Sequence, residues 1–219
     1  MTFDWSVIWQ NAGALARGTA VTVALTASTM AVAIPIGAVL AMANLSRSKL
    51  LVASSGGFIT LFRNLPALLV IYATYYVLPV VLDFGFPPFL TALIALSMTV
   101  AAYNGDTFRS GIGSIRRGQT EAALALGMSE WQVMRQVVMP QAGRRVLPVL
   151  ANTWVSLFKD TSLVSVIAVG ELAYTAMNIR SQTFRVLEIL TAMAAIYWVL
   201  GYPQAKLVDW IQRHHGLRE

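Results

Sequence analysis

Residues 18–45 read GTAVTVALTASTMAVAIPIGAVLAMANL and contain no charged side chain. About 20 apolar residues in a helix cross the hydrocarbon of a bilayer. In that medium the backbone must satisfy its own hydrogen bonds, so a span is a helix or part of a closed barrel. The stretch therefore predicts a membrane helix, long enough to tilt or to bend at Pro35. Composition points the same way: 57% of the residues are hydrophobic and 12% are charged, against about 25% charged in soluble domains. The expected fold is an all-α integral membrane protein with about five transmembrane helices. With no cysteine in the chain, disulfides and thiolate chemistry are excluded.

The remaining spans follow in order. Residues 1–17 read as an interfacial helix with Trp5, Ile8, Trp9 and Ala12 on one face; Asp4 stands where a secretory signal would carry cations. In the first span, Gly37 and Ala41 are four apart and allow close helix packing. The second span, about Leu50 to Leu82, is too long for one straight crossing, and Pro66 predicts a kink there. Arg63 lies about 20 Å along it, at hydrocarbon depth, where an arginine costs about 2.5–3.5 kcal/mol and either serves function, snorkels, or packs on a neighbouring carboxylate. The third span runs from about Phe89 to Phe108, and Asp106 and Arg109 near its end share a helix face and can pair. The fourth follows Arg144-Arg145. Lys159-Asp160-Thr161-Ser162 lies roughly 21 Å beyond that pair, past the midplane. Exposed to lipid, Lys159 and Asp160 would together cost about 5–7 kcal/mol, so they face protein or a water-filled route. Leu163–Leu172, interrupted by Gly170-Glu171, reads as a short helix or re-entrant element. The fifth span is about Val186 to Val208, followed by a basic tail whose His214 and His215 read as solvated, not as a metal site.

Counting cations orients the chain. With five spans, Arg47, Lys49, Arg109, Arg116, Arg117, Arg135, Arg144, Arg145, Lys206, Arg213 and Arg218 fall on one side; the other receives Arg17, Arg180 and Arg185. The positive-inside rule then places the N-terminus out and the C-terminus in.

The loop of residues 116–143, between spans three and four, is then cytoplasmic. Thr120 is expected to cap a helix over Glu121–Leu126, and Gly127 to end it. Ser129 and Gln132 form a capping box for a second helix, which Pro140 is expected to stop. Trp131, Met134 and Val138 give that helix an apolar face. Two capped helices around a glycine make a rigid elbow.

This loop resembles a known signature. Glu121, Ala122, Ala123, Gly127, Val137, Met139 and Pro140 match the EAA pattern of permease subunits of bacterial ABC importers, with valine and methionine in place of the usual isoleucine and leucine. SIRRGQTEAALALGMSEWQ, MPQAGRRVLP and LFKDTSLVSVIAVGEL are similar to the branch that takes up polar amino acids such as histidine, glutamine, arginine and glutamate/aspartate. Leu65 departs from that branch's usual threonine, and Gly105-Asp106 from its usual Ala-Glu. The resemblance implies that the elbow, through Glu121, Ala122, Ala123, Gly127 and Pro140, couples to a separate ATP-binding cassette ATPase. It implies a domain of residues 18–219 in the bacterial cytoplasmic membrane, surrounded by lipid. It also implies a second permease subunit (a copy or a homologous chain) and a solute-binding protein. No nucleic acid is implied. No cofactor is expected in this chain, which lacks GxxxxGK[ST] for nucleotide phosphates; ATP and magnesium belong to the ATPase subunit.

A solute route lined by Arg63, Asn64, Lys159, Asp160, Thr161 and Ser162 is expected, with Asp160 meeting an ammonium and Arg63 or Lys159 a carboxylate. The residues leave open which amino acid or derivative travels. A stand-alone secondary transporter or channel would use Lys159 and Asp160 as ion sites and would carry inverted repeats between its halves; none is visible. An intramembrane enzyme lacks its chemistry: no span holds a histidine, and no carboxylates are paired at catalytic spacing.

Overall fold

The computed structural model describes residues 3–215. All regular structure among them is helical: α1 Ser6–Gln10, α2 Ala12–Asn44, α3 Lys49–Asn64, α4 Ala67–Tyr72, α5 Leu78–Leu82, α6 Pro88–Gly113, α7 Arg117–Ala125, α8 Glu130–Gln132, α9 Met139–Asp160, α10 Leu172–Thr183 and α11 Val186–His215. Wide π turns join α4 to α5 (Ala73–Val77) and α8 to α9 (Val133–Val138), and a 3₁₀ stretch, Thr161–Ile167, follows α9. The helices α2, α6 and α11 are each long and apolar enough to cross a membrane. Two bent pairs, α3 with α4–α5 and α8–α9 with α10, bring the candidates to five if each is one span.

Prolines explain most of the departures from the sequence reading. Leu65 is extended (φ −86, ψ 135), as a residue before proline prefers, and Pro66 has no N–H to offer the preceding turn. The break is deeper than the expected kink, because the two halves turn through 108°. Pro140 does not stop the second elbow helix; the chain continues into α9 with Pro140 in its first turn. Pro79 stands at the same place in α5. Each follows a π turn that ends two residues earlier, and the wider turn makes room for a ring that would otherwise clash with the carbonyl four residues back. In contrast, α2 runs unbroken through Pro35 and starts at Ala12, ahead of the apolar run.

The helix α6 lies against α2 along its length. Leu25, Met30 and Ala33 of α2 meet Ala92, Ala95, Leu96 and Ala101 of α6, and Val70, Ile71, Leu157 and Val164 complete this core. The close approach rests on Gly37: a Cβ there would stand 2.6 Å from Asn104 Cβ and 3.0 Å from Gly105 N. Ala41, one turn on, is also buried. A second core joins Val7, Leu15, Leu172, Ala176, Ile179 and Ile189, docking α1 and α10 on α11. The outward face of α2 exposes Val23, Val32, Ile34, Ile36, Val39 and Met42, as a lipid-facing helix does.

Candidate functional site

The elbow is built by its backbone. Gly127 takes φ +83. Its N–H donates to Leu124 O at 2.9 Å, and Met128 N–H donates to Ala123 O at 3.2 Å, the two bonds of a Schellman stop. Ser129 then opens α8: its hydroxyl accepts from Gln132 N at 3.3 Å, while Gln132 Oε1 accepts from Ser129 N at 2.8 Å. The capping box read from the sequence is present. Thr120 is not a cap; α7 begins three residues earlier at Arg117, with no side-chain cap. Beneath the elbow, Ile115, Ala123, Val133, Val138 and Ala142 form a small core of their own. Arg145 reaches back to the carbonyl and hydroxyl of Ser114 at the end of α6. Arg47 meets both carboxylate oxygens of Glu130 at 3.0 and 3.1 Å; so exposed a pair contributes about 1 kcal/mol or less.

Of the five expected coupling residues, Ala123 is buried in this core, and Glu121, Ala122, Gly127 and Pro140 are exposed. Leu126, beside Gly127, is 84% exposed. The apolar face read over Trp131, Met134 and Val138 is divided: Val138 packs inward, whereas Trp131 and Met134 are exposed.

Asp106 sits between two arginines. Its oxygens accept from Arg63 and Arg109, each at 2.6 Å. The Arg63 guanidinium also lies 5.7 Å from the centre of the Tyr103 ring. Arg63 therefore packs on a carboxylate, one of the roles read for it, and the trio keeps one net positive charge.

Tyr103 leads to a polar cavity of about 380 Å³ between α6 and α9, lined by Thr99, Tyr103, Asn152, Thr153, Ser156 and Asp160 over an apolar floor. The Thr99 and Thr153 hydroxyls donate to Ala95 O and Val149 O of their own helices. Only their lone pairs remain for a guest. With the Asp160 carboxylate, these lone pairs suit an ammonium group, and the Asn152 amide and Ser156 hydroxyl add donors to the same wall.

Lys159 does not share this cavity. It lines a separate one of about 380 Å³ with Phe158, Tyr197, Trp198 and Tyr202, between α9 and α11. Thr161 is fully buried, and its hydroxyl donates to Phe158 O at 2.8 Å; Ser162 donates to Lys159 O at 2.8 Å. Asn64 Nδ2 donates to Thr60 O. The six expected route residues thus separate: Arg63 lies over Tyr103, which lines one cavity with Asp160, Lys159 lines another, and the rest bond to local backbone.

Glu171 was read from the sequence only as an interruption. It is fully buried and caps α10, accepting from Ala173 N at 2.8 Å, Tyr174 N at 2.6 Å and Tyr197 OH at 3.2 Å. The signal for it was a glutamate directly before an apolar helical stretch. Also unanticipated are Thr29, Ser97 and Asn104, buried on the α2–α6 seam with hydroxyl or amide atoms lacking any hydrogen-bond partner.

A family model described as binding-protein-dependent transport system inner membrane component matches residues 33–216. The glutamate/aspartate import permease protein GltK of Escherichia coli O6:H1 is 33% identical over 218 residues, covering 96% of this chain and 97% of that protein. The glutamine transport system permease protein GlnP of Escherichia coli K12 is 34% identical over 201 residues, covering 91% and 92%. A chain in the crystal structure of an amino acid ABC transporter with histidines superposes with a TM-score of 0.92 at 29% identity, over 98% of this chain and 100% of that one. A chain of the inward-facing MetNI methionine ABC transporter gives a TM-score of 0.80 at 18% identity, over 95% and 99%, and shows a shared fold. The chain belongs to the binding-protein-dependent inner membrane components, as a non-catalytic permease subunit of an ATP-binding cassette importer.

Proposed function

We propose that this permease carries a polar amino acid, or a close derivative, inward across the cytoplasmic membrane, driven by ATP bound with magnesium in a separate ATPase subunit. The N-terminus lies outside and the C-terminus inside, as the asymmetry of cations supports. The elbow over residues 116–143 is the coupling element. Glu121, Ala122 and Gly127 present its docking face to the ATPase, Ala123 anchors it from below, and Pro140 begins the helix that carries its motion into the bundle. Closure of two ATPase subunits swings two permease subunits, this chain and a copy or homologous partner, between outward and inward access. A solute-binding protein delivers the cargo to the outer face.

The observation that carries the choice of cargo is the cavity that sets the Asp160 carboxylate among hydroxyl and amide side chains. A zwitterion placed there has its ammonium against Asp160 and the threonine lone pairs. Its carboxylate lies toward the net positive Arg63–Asp106–Arg109 trio. Thr161, Ser162 and Asn64 shape the surrounding backbone, and Lys159 acts from the neighbouring cavity. The names of the relatives, which span acidic and neutral amino acids, support this class of cargo. The test is uptake into proteoliposomes holding the complete importer. Asp160→Asn should cut maximal uptake at least about tenfold, the cost of one charged hydrogen bond, with assembly intact. Full uptake with unchanged concentration dependence would remove Asp160 from the route.

A further inference from the structure

One surface of the elbow takes no part in the coupling face or the route. Met42 and Leu45 from the end of α2, Ile112 from α6, and Trp131, Met134 and Met139 line a groove of about 470 Å³, with Arg135 at its edge. Trp131 is 66% exposed, Met42 64% and Met139 50%. Contiguous apolar exposure of this kind marks a surface that something covers.

Two observations specify the occupant. Met42 and Leu45 close a helix long and apolar enough to cross a membrane, so the groove's floor belongs partly to that helix, at the end the proposed orientation puts on the cytoplasmic side. Arg135 is exposed and makes no ion pair among the described residues; the nearby Arg47 is already held by Glu130. An apolar groove that also holds an exposed guanidinium without an ion pair is complementary to an acyl chain attached to a phosphate. Guanidinium binds phosphate through two parallel hydrogen bonds, and an indole at the rim sits at headgroup level.

We propose that this groove holds one anionic phospholipid, its acyl chain along Met42, Leu45, Met134 and Met139 and its phosphate on Arg135. The lipid ties the outer side of the elbow to the membrane while the opposite side engages the ATPase. That the lipid comes from the inner leaflet rests on the orientation proposed above; its retention does not depend on transport, so the two ideas fail separately.

The test is native mass spectrometry of the intact permease–ATPase complex taken from nanodiscs of equal phosphatidylglycerol and phosphatidylcholine. One phosphatidylglycerol should be retained per permease copy, in preference to phosphatidylcholine. Arg135→Gln should weaken retention about five-fold, the effect of removing one cation at a membrane surface, and Arg135→Lys, which keeps the charge but loses the paired donors, should fall between Arg135→Gln and the unchanged protein. Equal retention of both lipids, or undiminished phosphatidylglycerol in Arg135→Gln, overturns the proposal. So does loss of the ATPase subunit from Arg135→Gln with phosphatidylglycerol still bound, which would assign the groove to a protein partner.

Discussion

Asn104 stands opposite Gly37, fully buried, with neither amide atom hydrogen-bonded. An orphaned buried polar group costs about 1–3 kcal/mol, whereas an apolar side chain of the same shape carries no such cost. Asn104→Leu should therefore raise the thermal midpoint by a few degrees, since about 1 kcal/mol moves a chain of this size by roughly 2–4 °C. A lowered midpoint would mean that the amide has a partner, such as a bound water. Gly37→Ala should act oppositely, because its Cβ would meet Asn104 Cβ at 2.6 Å; overpacking of this kind costs about 1–3 kcal/mol. Gly37 was legible in the sequence, since small residues four apart announce close packing. Asn104 was not. An asparagine in an apolar run says nothing of its partners, which come from other helices. Glu171 was misread for the same reason: its donors Ala173 and Tyr174 are local, but Tyr197 comes from α11.

The elbow is the element that the sequence described best, because glycine stops and capping boxes act over a few residues. Its stability depends on two positions. No atom lies within 4 Å of a Cβ built on Gly127, where φ is +83, so Gly127→Ala costs only the left-handed backbone penalty, about 1 kcal/mol. Ser129→Ala should cost about 1 kcal/mol by loss of the cap. Both should speed hydrogen exchange over residues 117–138 and leave α6 unchanged. Exchange unchanged across the elbow would show that its small core, and not its caps, holds it. The break at Pro66 was legible, but the reading of Pro140 as a stop failed because the relief there comes from a π turn, which has no short sequence signature. At the other end, α1 is held to α11 by Asp4 N donating to Glu188 at 2.9 Å. Hydrogen bonds from the Ser6 hydroxyl, then from its N–H, hold the Asp4 carboxyl below its ordinary pKa. A depressed native value means this contribution is complete above the unfolded pKa of about 4 and is lost as pH falls through the native one. Fluorescence of Trp5 and Trp9 should therefore change below about pH 4, and Ser6→Ala should move that change to higher pH.

At the scale of the molecule, the class of fold was legible because bilayer thickness sets the length of an apolar run. The turn of 108° between α3 and α4 was not, since Leu65-Pro66 announces a break but not its angle. Nor could the chain show that Lys159 and Asp160, adjacent in sequence, line different cavities. On the coupling proposed above, the bundle is a carrier moved through its elbow, with the exposed Glu121 and Gly127 at the contact. The most direct measurement is ATP-driven uptake by proteoliposomes holding this permease, its ATPase and its binding protein, with membrane insertion checked in parallel. The account predicts that Glu121→Lys and Gly127→Arg each insert normally, continue to allow ATP hydrolysis, and lose uptake. Normal uptake by both variants would contradict it.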